Sequence, residues 1–148
     1  MFFASLMPLF AQLNTSFKMK RIILIAFIAI MSATSSFAQK QADVFVPIGK
    51  YIQLGDAEKL SAWFASNLEL DILGSVSSCS KVQATQIMKD FFVNYTPKAF
   101  SVIHKSGKAP LTYAIGSLSA GGEKFRITLF VMTQEKGNQI QQLRIERE

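Results

Sequence analysis

The sequence predicts an α+β domain, N-terminal helices packed on an antiparallel sheet, carried by a chain made for export. Three observations carry this. Apolar residues recur at three-and-four spacing over 43–54 and 81–95 and alternate singly after Ala99, the two periods that separate an amphipathic helix from a half-buried strand. The turns of the second half are short, so its neighbouring strands must run antiparallel. The first 38 residues read as a leader, which leaves residues 39–148 as a single domain with room for one core.

The leader has the three parts of an export signal: Met19-Lys20-Arg21, the apolar run Ile22 to Met31, and Ser32 to Ala38 ending in small residues. Ser36 and Ala38 stand three and one before a cut ahead of Gln39. The apolar run is about half the ~20 residues that cross a bilayer, so no span is expected after the signal is removed. Residues 1–18 are apolar without a basic start, and translation is expected to begin at Met19; an extended leader that is cut off all the same is the alternative. The product is expected in the periplasm or outside the cell.

Lys18, Lys20 and Arg21 leave with the leader, so the net charge of +6 falls to +3 in the domain. The remaining lysines are scattered, unlike the clustered cations of nucleic-acid binders, and no nucleic-acid partner is expected. Cys79 is the single cysteine, which excludes an intrachain disulfide. No zinc spacing, glycine-rich phosphate loop or serine-nucleophile elbow is present, and neither metal nor cofactor is expected.

Val44, Phe45, Ile48, Tyr51 and Ile52 predict a helix over 43–54, with Pro47 tolerated in its first turn and Gly55 ending it. Asp56 suits the N-cap of a second helix, whose inner stripe is Leu60, Trp63 and Phe64. Leu68, Leu70 and Ile72 alternate as a strand, and 74–78 is a small-residue loop or a short returning strand. Ser80 and Gln83 form a capping box before the apolar face Ala84, Ile87, Met88, Phe91, Phe92 and Tyr95, which predicts a helix over 81–95. Strands follow over 99–105, 111–119, 123–133 and 138–147.

Pairing across the turns sets Phe100, Val102, His104, Leu111, Tyr113, Ile115, Thr128, Phe130, Leu143 and Ile145 on the face expected to receive the helices. The opposite face then takes Ile103, Ile127, Leu129 and Val131 among others, too apolar for solvent, and a homodimer through that outer face is expected. A one-residue slip would reverse the assignment.

Phe45-x-x-Ile48, Gly55-Asp56-Ala57, Ser80-Lys81-x-Gln83-Ala84, Lys89-Asp90-Phe91-Phe92, Tyr113-Ala114-Ile115-Gly116, Phe125-Arg126 and Gln142-Leu143-Arg144-Ile145-Glu146 resemble a bacterial exported family, domain of unknown function 4783. Three helices, one strand and a closing meander are similar to the cone-shaped nuclear transport factor two-like fold, also called cystatin-like. The resemblance implies this fold and export. It implies no catalytic residue, because the wider fold houses isomerases and dehydratases beside non-catalytic members.

The candidate pocket is Trp63, Phe92, His104, Tyr113 and Arg126. His104 and Tyr113 on adjacent strands offer a base and a donor for an isomerase-like or hydrolase-like enzyme on small molecules. Arg126, expected inward near Ser117, must meet a carboxylate, carbonyls, water or an anionic ligand. Trp63, Phe64, Phe91, Phe92 and Tyr95 either fill a core or line a pocket for a small apolar molecule. With no acid placed to complete a dyad, the preferred function is a non-catalytic binding or accessory module, with a small-molecule ligand as one partner class and the enzyme as the alternative.

Overall fold

The structure, a computed structural model, describes residues 42–148. The leader, the Met19–Ala38 signal and the cut ahead of Gln39 lie outside the described residues.

Helix α1 (Phe45–Leu54) starts where Asp43 Oδ1 accepts the Phe45 amide at 3.0 Å and ends at Gly55, whose φ of 66° turns the chain left-handed. Asp56 then caps α2 (Ala57–Ser61), accepting the Lys59 amide at 3.0 Å. The second helix is shorter than its apolar stripe predicts. Trp63 leaves it to accept the Ile140 amide, and Phe64, almost fully buried, opens strand β1 (Phe64–Ile72). Trp63 and Phe64 are therefore sheet-side residues, because pairing with the last strand satisfies backbone groups that another helical turn would leave at a buried end.

A tight turn at Leu73-Gly74, both at positive φ, leads to β2 (Ser75–Ser80), the returning strand. The capping box at Ser80 and Gln83 is formed in both directions and starts α3 (Lys81–Asn94), which buries Ala84, Met88, Phe91 and Phe92. The meander follows as β3 (Pro97–Lys108), β4 (Leu111–Ala120), β5 (Glu123–Gln134) and β6 (Gly137–Arg147). The six strands form one sheet in the order β2-β1-β6-β5-β4-β3. All neighbours are antiparallel except β1 and β6, so the curved sheet is mixed and not purely antiparallel.

The β4–β5 register is the expected one, with Tyr113 opposite Phe130 and Ser117 opposite Arg126. The facing is the reverse. Ala114, Leu118, Phe125, Ile127, Leu129 and Val131 are buried under the helices, while Tyr113, Thr128 and Phe130 are half-buried on the outer face. Leu143 and Ile145 do point inward, as expected, but they pair with Leu129 and Ile127.

Two irregularities explain the difference. Val102 pairs with Gly116 but His104 with Ile115, so Ile103 is an extra residue that turns Phe100 and Val102 inward while His104 stays outward. Val131 pairs with Ile140 but Phe130 with Gln142, so Gln141 is extra in the same way. Continuing from the turn without it would set Thr128 opposite Leu143, the grouping the simple alternation suggests. Each β-bulge flips every later side chain.

The inner face of β4 is lined with small residues because rings land on it. A Cβ on Gly116 would lie 2.3 Å from the Phe100 ring. At the far end Phe91, Tyr95 and Phe125 stack with ring centroids 5.0–5.4 Å apart. No described helix is long and apolar enough to cross a membrane.

Candidate functional site

The five candidate pocket residues do not converge on one cavity. Phe92 is buried in the core, edge-on to Phe91 at 5.8 Å, and Trp63 is half-buried against the same core. His104, Tyr113 and Arg126 stand on the opposite face of the sheet. The space beneath the helices is occupied by Phe64, Phe125, Met88 and fully buried aliphatic side chains.

His104 is exposed, and its Nε2 lies 3.5 Å from the Tyr113 hydroxyl with the rings 5.8 Å apart. Tyr113 in turn packs against Phe130 at 5.6 Å. Leu111, Ile115 and Met132 pair around these residues, giving an apolar and aromatic band across β4 and β5. Among the described residues no carboxylate bonds His104, so the orienting acid that a histidine base uses is not found beside it there.

Arg126 is exposed, between Ser117 and Glu146 in the ladder, so its guanidinium stays in water and the inward placement expected of it does not hold. Ile127, Leu129 and Val131, expected on an outer interface, are fully or almost fully buried in the chain's own core; only Ile103 of that group is exposed, at 61%.

Beyond the band, the outer face carries polar pairs. Gln142 Nε2 donates to Glu69 at 2.7 Å, and Arg144 Nε lies 3.0 Å from Asp71 Oδ2 without aiming its N–H along the contact. Asp71 Oδ1 accepts the Gly74 amide, so this acid closes the β1–β2 turn. Among the described residues no group of three or more His, Cys, Asp or Glu side chains could hold a metal ion.

A groove of about 340 Å³ runs between α1 and β3, with Val46, Gly49, Lys50, Leu54, Phe100 and Val102 on its walls. Just before α1, Lys105 bonds Asp43; this contact holds the Asp43 carboxyl below the usual range, with partial burial opposing it and the Phe45 amide adding to it. Cys79 is buried beside Leu68, its thiol within 3.8 Å of the Leu68 carbonyl, and burial pushes its pKa up. The groove escaped the sequence pattern because the bulge that builds its floor is not coded by any turn residue. The small Gly49 and Gly116 opposite Phe100 were its one visible trace.

The domain of unknown function family DUF4783 matches residues 45–146. Comparison with curated protein sequences finds no significant match. Among solved structures, a DUF4783 family protein from Bacteroides uniformis is 23% identical, with a TM-score of 0.69 over 72% of this chain and 98% of that one. A domain of unknown function with a cystatin-like fold from Nostoc punctiforme is 13% identical, with a TM-score of 0.58 over 70% of this chain and 72% of that one. An NTF-2 like protein of unknown function from Silicibacter pomeroyi is 14% identical, with a TM-score of 0.55 over 70% of this chain and 89% of that one. At such identities the likeness speaks for the fold, and it agrees with helices on a curved sheet. With its family pattern running from the start of α1 almost to the end of β6, the chain belongs to the DUF4783 family and has the nuclear transport factor two-like, cystatin-like fold.

Proposed function

We propose that the protein is an exported, non-catalytic binding or accessory module that works through its surface and not through an internal cavity. The observation that supports this most is the filled interior: Phe64, Phe125, Met88, Leu118 and Ile127 are all under 2% exposed where a ligand would otherwise sit. The competing reading, a small-molecule isomerase or hydrolase built on His104 and Tyr113, needs an enclosed site where burial matches a base and a donor to their work. That pair stands on an open face.

A homodimer is part of the proposal, moved to the residues that do face outward. Leu111, Tyr113, Ile115, Phe130 and Met132 form a continuous half-exposed band, with Glu69, Gln142 and Arg126 as a polar rim. Apolar cores with polar rims are the anatomy of protein interfaces. Sedimentation velocity at micromolar concentration tests it: the wild type should run as a dimer and Phe130→Lys as a folded monomer. A monomeric wild type would contradict the assembly.

A further inference from the structure

We propose that the free edge of β3, with the α1–β3 groove beside it, is a docking site for an extended acidic peptide segment of a partner protein, taken up as a seventh strand. The inference rests on the reading of the domain as a surface-binding module but uses a different surface from the dimer.

The strand order leaves β3 paired on one side only, with β4. Among the described residues, no backbone hydrogen bond outside the β3–β4 ladder ends on residues 98–108. Every second residue there presents an unpaired N–H and C=O, which is the template for strand addition. From Ala99 to Val102, between the register shifts at Lys98 and Ile103, the edge runs beside the groove. An added strand would lie about 4.8 Å beyond β3 and direct alternate side chains toward the flank of α1. The groove there is apolar and open: Val46 is 68% and Leu54 63% exposed, and Phe100 and Val102 form the floor.

Charge selects the occupant. β3 carries Lys98, His104, Lys105 and Lys108 and no acid, and Lys50 lines the groove from α1. Two carboxylates flank α1. Asp43 is bonded to Lys105, and Asp56 is engaged by the Lys59 amide and ammonium. Among the described residues Lys50 and Lys98 join no ion pair within 4.0 Å. A second copy laid antiparallel on this edge would set two strands that carry cations and no acid side by side, which opposes it. Lysines on an edge strand also serve to repel stray strands, but that duty alone does not call for exposed Val46, Leu54 and Ile103 beside them. Cations around an apolar groove fit a segment that alternates acidic and apolar residues.

The test is fluorescence anisotropy on the purified protein, with a labelled peptide alternating Glu and Val against the same peptide with Lys for Glu. The Glu–Val peptide should bind about tenfold or more tightly than its Lys counterpart, and the pair Lys50→Glu, Lys98→Glu should weaken it about tenfold, the size expected of two rim charges. Hydrogen exchange on the wild type should show residues 98–103 protected when the Glu–Val peptide is added. Phe130→Lys should bind the peptide as the wild type does, which separates this site from the dimer. Failure of the Glu–Val peptide to bind, equal binding of the two peptides, protection confined to β4 and β5, or a β3 edge already protected by self-association would each overturn the proposal.

Discussion

Replacing Gly116 by alanine should cost the fold about 1–3 kcal/mol, the usual penalty for forcing a carbon into a packed core. The new Cβ would lie 2.3 Å from Phe100 Cζ, 2.4 Å from Cε2 and 3.0 Å from the Ser101 carbonyl oxygen. Carbon atoms rest at about 3.5–4.0 Å, so the overlap exceeds roughly 1 Å. The ring has little room to retreat, because on its other side a Cβ on Gly49 would already be 3.0 Å from Cε1. Phe100 is held between two glycine backbones, one on α1 and one on β4. For a domain of this size the penalty corresponds to a fall in Tm of roughly 5–20 °C, read by circular dichroism. Phe100→Leu should lower stability by itself yet recover part of the loss in the Gly116→Ala background, since residues in contact do not behave additively. An unchanged Tm, or strictly additive effects, would place Gly116 on the outer face and refute the bulge at Ile103.

The same facing predicts opposite outcomes for neighbours on β5: Leu129→Lys should lose more than about 3 kcal/mol in urea unfolding by burying a charge, and Phe130→Lys no more than about 1 kcal/mol. Because Lys105 lowers the pKa of Asp43 in the folded state, their contribution is present above the ordinary carboxylate value and lost as pH falls through the lowered one. Lys105→Met should therefore cost under about 1 kcal/mol near neutrality, with the gap to wild type closing below about pH 4; a gap that stays constant through acid would show that the pair does not form. Cys79, buried with a raised pKa, should resist iodoacetamide at pH 8 in the native protein and react at once in urea; prompt native labelling would contradict its burial.

Local signals made the helices and strand ends legible. Ser80 and Gln83 announce α3 because a capping box satisfies orphan amides whatever the rest of the chain does. Gly55 and Asp56 mark the α1–α2 joint for the same reason. The short turn at Gly121-Gly122 set Ser117 opposite Arg126, as found.

What was not legible is the facing, and with it the candidate pocket. Leu129-Phe130-Val131-Met132 is apolar on both sides, so period two cannot say which side is inside. The larger aromatics Tyr113 and Phe130 offer more apolar area to bury, yet the inner face of β4 needs Ala114, Gly116 and Ala120 to admit rings from β3 and the helices. The extra residues Ile103 and Gln141 then shift parity without any glycine or proline to mark them. His104, Tyr113 and Arg126 moved together from the imagined pocket to the outer surface for that single reason. The helical stripe Leu60, Trp63, Phe64 failed differently. Its spacing was right, but pairing of Phe64 with Ile140, remote in sequence, outweighed local preference.

Native mass spectrometry of the protein recovered from the cell envelope tests the central claim most directly, since it weighs the chain, any small molecule it retains and the number of copies together. The account predicts a polypeptide beginning at Gln39, assembled as a dimer and adding no mass beyond the protein itself. A stoichiometric small molecule that stays bound to the native protein and is released on unfolding would contradict a filled interior and return the function to a pocket beneath the helices.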